Sequence, residues 1–125
     1  MKQDFEELFE FCKNNRRLCP WAKQFKSEEF VKEFLSEANE VKQALDNKDY
    51  DNLEEELGDA LVDLLTLSVI AEEEGKINTK NIIKRILNKM KERKPYVFEG
   101  KQVSLKEAEN TFYKAKKEQK QRNKK

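Results

Sequence analysis

The stretch that most limits what this chain can become is Leu53 to Gly75, LEEELGDALVDLLTLSVIAEEEG. It reads as one long helix, aliphatic over most of Leu57 to Ile70 but interrupted by Asp59 and Asp63. Glu56, Asp59 and Asp63 stand at i, i+3 and i+7, and at about 100° per residue they share a helix face. A helix this apolar is expected to be buried. Carboxylates are seldom buried alone, because an unpaired one must either be desolvated at high cost or stay protonated. Something positive therefore has to meet these acids.

The flanking segments read as further helices. Phe5, Leu8, Phe9 and Cys12 form an amphipathic stripe over Asp4 to Asn14. Asn15 to Lys26 reads as an ordered loop in which Pro20 restricts the backbone beside Trp21; that indole either plugs the core or lines a pocket where a planar group can stack. Ser27 is a candidate cap for a helix running to about Asn47, with Phe30, Phe34, Val41 and Leu45 on its core side. The same helix carries Glu33, Glu37 and Glu40 at i, i+4 and i+7. Lys48 to Asn52 is a short polar turn, and Asp51 with Glu54 resembles a capping box, so the two long helices are expected as antiparallel neighbours with their acidic faces toward each other. After Gly75 comes a fourth helix to about Lys94, with Ile82, Ile83, Ile86, Leu87 and Met90 as its core face. Its basic side either is solvated or presents Lys89 and Arg93 together to an anion. Tyr96-Val97-Phe98 reads as extended, and Ser104 with Glu107 opens a last helix. The expected organisation is a single all-α domain over residues 1–113, an antiparallel bundle of four to five helices, followed by a basic, flexible tail at 114–125.

Composition narrows the chemistry. There is no His, which removes Ser/His and Cys/His pairs, His-ligated zinc and His-containing di-iron sites. Cys12 and Cys19 match no common zinc spacing and read as free thiols. No run is long enough to span a membrane, no signal-peptide core precedes Arg17, and a cytoplasmic protein is expected. The net charge of +1 gives no global reason to expect nucleic-acid or membrane binding. Four acids on two adjacent helices, without His or thiolate, suit a hard cation, Mg²⁺ above all, with Lys89 and Arg93 as further positive groups for a polyphosphate. The competing reading is an exposed acidic helix pair that makes salt bridges to basic helices.

Glu37-Ala38-Asn39-Glu40, a gap of fifteen residues, and Glu56-Leu57-Gly58-Asp59 resemble the acidic signature of the MazG-like nucleoside triphosphate pyrophosphohydrolases, Glu-Glu-x-x-Glu followed by Glu-x-x-Asp. The resemblance extends through Cys19-Pro20-Trp21, Ile70 to Gly75, and Lys89-x-x-x-Arg93 followed by Pro95-Tyr96-Val97-Phe98. It implies an all-α fold completed by dimerisation and hydrolysis of a nucleoside triphosphate to monophosphate and pyrophosphate with Mg²⁺, or alternatively Mn²⁺. It makes Glu37, Glu40, Glu56 and Asp59 the metal ligands, with Glu56 and Glu37 also catalytic, and Glu55 matches an acid that often precedes the second pair. Lys89 and Arg93 match phosphate-contacting residues; Tyr113 and Lys117 match an aromatic and a Lys placed near the nucleotide in some members.

Three departures stand out, the first being that Ala22 follows Trp21 where the family often has an acid. Ser36 replaces the first Glu of the signature, with Glu33 one turn before Glu37 as a substitute. Asp63 has no counterpart and is either a further ligand or the partner of a buried Lys or Arg. The expected mechanism is attack of a metal-activated or Glu-oriented water on the α-phosphorus. The alternatives are a narrower house-cleaning or dUTPase-like phosphohydrolase on the same scaffold, and a non-catalytic helical protein that binds partners or nucleic acid through its basic C-terminal end.

Overall fold

The computed structural model describes residues 1–124, and among them every regular element is a helix: α1 Lys2–Leu18, α2 Pro20–Lys23, α3 Ser27–Asp46, α4 Tyr50–Glu73, α5 Thr79–Arg93, α6 Pro95–Phe98 and α7 Leu105–Asn123. The chain divides into two compact units, Met1–Thr79 and Lys80–Lys125.

In the first unit α3 packs along α4 and α1 along α4. The core is small: Phe30 and Ala44 from α3, Thr66 and Ile70 from α4, Cys12 from α1 and Ala22 from α2. Cys12 and Ile70 are wholly buried, and the Cys12 thiol lies 3.9 Å from the Val62 carbonyl oxygen. Both cysteines are free thiols. Arg16 ties α1 to the far end of α4 through Glu73, 2.7 Å away, and donates to the Ala22 carbonyl.

The hairpin between α3 and α4 is set by its two ends. At the tight end, Lys48 takes φ 55°, and Lys48 N–H and Asp49 N–H bond the Leu45 and Ala44 carbonyls, closing α3 in a Schellman turn. Asp49 then caps α4 by accepting from Asn52 N–H at 3.3 Å, in place of the expected Asp51. At the open end, the first turn of α3 is held by an acid from the other helix. Glu74 accepts from the Ser27 N–H at 3.0 Å and from the Ser27 hydroxyl, while Lys76 bonds Ser27, Glu28 and Glu74. Ser27 is thus not the cap of its own helix; that position is Lys26, whose N–H donates to Glu29. Gly75, at φ 75°, ends α4 in a second Schellman turn, with Gly75 N–H on Glu72 and Lys76 N–H on Ala71.

Several sequence expectations are corrected. Helix α1 runs four residues beyond Asn14. The expected Cys-Pro-Trp loop contains a helical turn, α2, and the expected extended Tyr96–Phe98 segment is another, α6, each with Pro in its first turn where the missing N–H costs nothing. Burial of the long apolar run is incomplete: Leu57, Leu61 and Leu64 are exposed on α4, as are Leu45 on α3 and Ile82, Ile83, Ile86 and Leu87 on α5. In the second unit Ser104 caps α7 by accepting from Glu107 N–H at 3.1 Å. The segment expected as a flexible tail is helical through Asn123, and Lys125 lies outside the described residues. No helix among the described residues is long and apolar enough to cross a membrane.

The two turns predict opposite responses. A left-handed non-glycine residue carries a steric penalty of about 1 kcal/mol, so Lys48→Gly should raise unfolding free energy by about 0.5–1 kcal/mol and Gly75→Ala should lower it by about 1 kcal/mol or more, both read by urea titration of helical signal.

Candidate active site

Side chains at 37 and 40 on α3 and at 56 and 59 on α4 come from the facing stripes of the hairpin. Because α3 and α4 are antiparallel with a three-residue turn, a residue some two turns before the turn meets one about two turns into the next helix. The result is a carboxylate cluster: one oxygen each from Glu37, Glu56 and Asp59 lies within 4.8 Å of the others. Glu40 joins it through contact with both Glu37 and Glu56. Glu37, Glu40 and Glu56 are half-buried and Asp59 is exposed, so the cluster opens to solvent on one side.

The cluster is electrostatically uncompensated. Glu37 Oε2 and Glu56 Oε2 are buried without a hydrogen-bond donor. Among the described residues, no Lys or Arg forms an ion pair with Glu33, Glu37, Glu40, Glu56, Asp59 or Asp63. Burial, followed by proton sharing with Glu56 and Glu40, pushes the Glu37 carboxyl up to about 8. Glu56 is raised too, first by its contact with Glu40 and then by desolvation. Asp63, half-buried one turn beyond Asp59, is raised to about 6 by burial and then by repulsion from Glu33, Asp59 and Glu40. Among the described residues it makes no ion pair with a Lys or Arg.

An all-oxygen donor set with two orphaned, buried oxygens and no cationic side chain is the arrangement a hard divalent cation satisfies. Glu37, Glu56 and Asp59 are placed to hold one directly, Glu40 beside them. Glu33 is exposed and reaches this field through Asp63; Glu55 is exposed on α4.

The remaining candidates are distributed differently. Trp21 does not plug the core: it is 56% exposed and sets its ring edge-on against Phe25 at 4.8 Å, which in turn meets Phe30. Lys89, Arg93, Tyr113 and Lys117 belong to the second unit. Lys89 and Lys117 are exposed. The Arg93 guanidinium stacks over Phe112 at 5.1 Å and donates to Gln119 at 3.0 Å, and Tyr113 packs edge-on against Phe112. Sequence reasoning missed the clamp at Glu74, whose carboxyl is drawn down to about 2 by Ser27 and then by Lys76. No local pattern links residues 47 apart; the only signal was an acid at each end of a hairpin whose opposite end is closed by a short turn.

Residues 25–98 match the model of the MazG nucleotide pyrophosphohydrolase domain, a span that contains the whole acid cluster. Among relatives, the chain is 35% identical over 80 residues to the Nucleoside triphosphate pyrophosphohydrolase of Escherichia coli (strain K12), covering 64% of this chain and 30% of that protein. It is 31% identical over 96 residues to Nucleoside triphosphate pyrophosphohydrolase/pyrophosphatase MazG of Thermotoga maritima, covering 75% and 38% respectively. It is 36% identical over 85 residues to the uncharacterized protein YabN of Bacillus subtilis (strain 168), 68% of this chain and 17% of that one. The chain thus spans well under half the length of these relatives. The crystal structure of a mazG-related protein from Thermotoga maritima superposes with a TM-score of 0.85 at 34% identity, covering 90% of this chain and 98% of that one.

The charge on the cluster predicts an unusual pH response. Folded Glu37 keeps its proton to about 8, whereas the unfolded chain releases it near the ordinary glutamate value of 4.5. Between those values the folded state binds more protons, so metal-free stability should fall as pH rises. A divalent cation competes with that proton. In thermal melts the gain from excess Mg²⁺ should be small near pH 6 and largest above about pH 8. A flat profile in chelator, or the same gain at both pH values, would contradict this.

Proposed function

Since this chain belongs to the MazG nucleotide pyrophosphohydrolase family, we propose that it hydrolyses a nucleoside triphosphate to the monophosphate and pyrophosphate in a Mg²⁺-dependent reaction. The observation that carries the reading is the pair of orphaned oxygens, Glu37 Oε2 and Glu56 Oε2, beside Asp59 with no cationic side chain to neutralise them. The names of the Escherichia coli and Thermotoga maritima relatives support the reaction class.

In this reading Glu37, Glu40, Glu56 and Asp59 hold the cation, with Asp63, Glu55 and Glu33 as further acids of the same field. Bound Mg²⁺, or Mn²⁺, supplies charge neutralisation on the triphosphate and acidity to water. Glu56 and Glu37 orient the attacking water toward the α-phosphorus and accept its proton. The new O–P bond forms as the bond from the α-phosphorus to the α–β bridging oxygen breaks, and that oxygen leaves with pyrophosphate. Lys89 and Arg93 offset charge on the leaving pyrophosphate. Trp21, Tyr113 and Lys117 are assigned to the nucleotide, the exposed indole of Trp21 offering a face to the base.

The same reading includes self-association. Leu57, Leu61 and Leu64 make an uncovered stripe at i, i+4 and i+7 on α4, the helix that carries the cluster, and a homodimer or higher oligomer would cover it. A cytoplasmic setting accords with the free thiols of Cys12 and Cys19.

The test is product identity. Incubated with each common nucleoside triphosphate and Mg²⁺, the protein should release pyrophosphate and not single phosphate. Glu56→Ala should lose at least about 10²-fold in kcat while remaining helical by circular dichroism. Turnover restricted to dUTP would establish the narrower phosphohydrolase, and no Mg²⁺-dependent turnover on any nucleotide would leave the non-catalytic alternative.

A further inference from the structure

The net charge of +1 conceals a division of the chain into oppositely charged halves. Residues 1–79 carry 10 Lys and Arg against 20 Asp and Glu, whereas residues 80–125 carry 16 against 5. Within the second unit the positive charge is not spread evenly. Helices α5 and α7 flank an open cleft of about 810 Å³, into which α5 sends Arg85, Lys89 and Arg93 and α7 sends Lys116, Lys120 and Arg122.

Those six cations differ in what already holds them. Glu92, the one acid of the cleft, takes Arg122, and it also accepts from Gln119 at 2.8 Å. Arg93 and Lys116 lie over the Phe112 ring. Arg85, Lys89 and Lys120 have no carboxylate partner among the described residues. On α5 the cations recur at 85, 89 and 93, one turn or about 6 Å apart. Lys116 and Lys120 repeat that spacing on α7. Ile82 and Ile86, both exposed, add an apolar wall to the α5 side.

We propose that the α5–α7 cleft binds the sugar–phosphate backbone of single-stranded nucleic acid. Two rows of cations at one-turn spacing can follow successive phosphates along a strand, while a single triphosphate would engage only part of either row. The apolar wall accepts a base or ribose face, which an unpaired strand exposes and a duplex does not. The cleft shares Lys89 and Arg93 with the pyrophosphohydrolase reading, but Arg85 and Lys120 have no part in that chemistry, so the test is made on them.

The test uses the full chain and a fluorescently labelled oligouridylate, with anisotropy read as salt is varied. Wild type should bind in the range of about 10⁻⁴–10⁻⁶ M, with affinity falling steeply with salt. Arg85→Glu/Lys120→Glu should weaken binding at least about tenfold and flatten the salt slope by about 1.4, two phosphate contacts' worth. Nucleotide turnover should be unchanged. Lys2→Glu/Lys32→Glu, an equal change of net charge in the first unit, should leave binding intact. Arg85→Ala/Lys120→Ala serves if the reversal reduces helicity, and should weaken binding in the same direction. Absence of salt-sensitive binding, equal weakening by the first-unit control, or tighter binding of a duplex of the same length would overturn the proposal.

Discussion

Like-charge repulsion that no cationic side chain among the described residues relieves is the constraint on which the rest of the first unit depends. Glu37, Glu40, Glu56 and Asp59 are forced together although each would be more comfortable in water, and nothing in the described structure pairs them with a cation. Such a cluster persists only if other contacts fix the helices that carry it. The Schellman turn at Lys48 and the Asp49 cap fix one end of the α3–α4 hairpin, and the Glu74–Ser27–Lys76 clamp fixes the other. Buried Ile70, Thr66, Phe30 and Cys12 supply packing near the clamped end. Repulsion is thereby held in place for a divalent cation to relieve.

The architecture was legible where periodicity and punctuation agree. The acids of Glu37-x-x-Glu40 and Glu56-x-x-Asp59 could be placed on facing stripes because a polar turn as short as Lys48 to Asn52 leaves two long helices little choice but to pair. Helix termini were less legible. Ser27 and Asp51 are good caps by residue type, but Lys26 and Asp49 occupy those positions, because a cap is decided by the backbone that the turn leaves behind. By sequence Pro20 belongs to an ordered loop and Pro95 precedes an extended segment, although Pro in a first turn also starts a helix. The uncovered leucines of α4 show a further limit: apolar periodicity marks a face that must be covered, without saying by what.

The same division applies to the candidate site. Residue type and spacing brought four carboxylates together, and resemblance attached roles to them. Neither revealed that Asp63 forms no ion pair among the described residues, nor that Arg93 is already held by Phe112 and Gln119. A near-zero net charge also hid the strongest electrostatic feature of the chain, since summing over 125 residues removes a contrast visible when residues 1–79 and 80–125 are considered separately. The acidic half carries the cluster suited to a cation, and the basic half carries a cleft suited to phosphate.

Central to this account is that the Glu37–Glu56 contact exists for a metal ion and not for the fold. Mn²⁺ binding followed by electron paramagnetic resonance, in wild type and in Glu37→Gln/Glu56→Gln, tests that most directly when paired with melting in chelator. The prediction is a saturable site in wild type that is lost in the variant, together with a metal-free melting temperature that stays level or rises as the repulsion is removed. Identical Mn²⁺ titrations, or a variant that loses stability in the absence of metal, would contradict it.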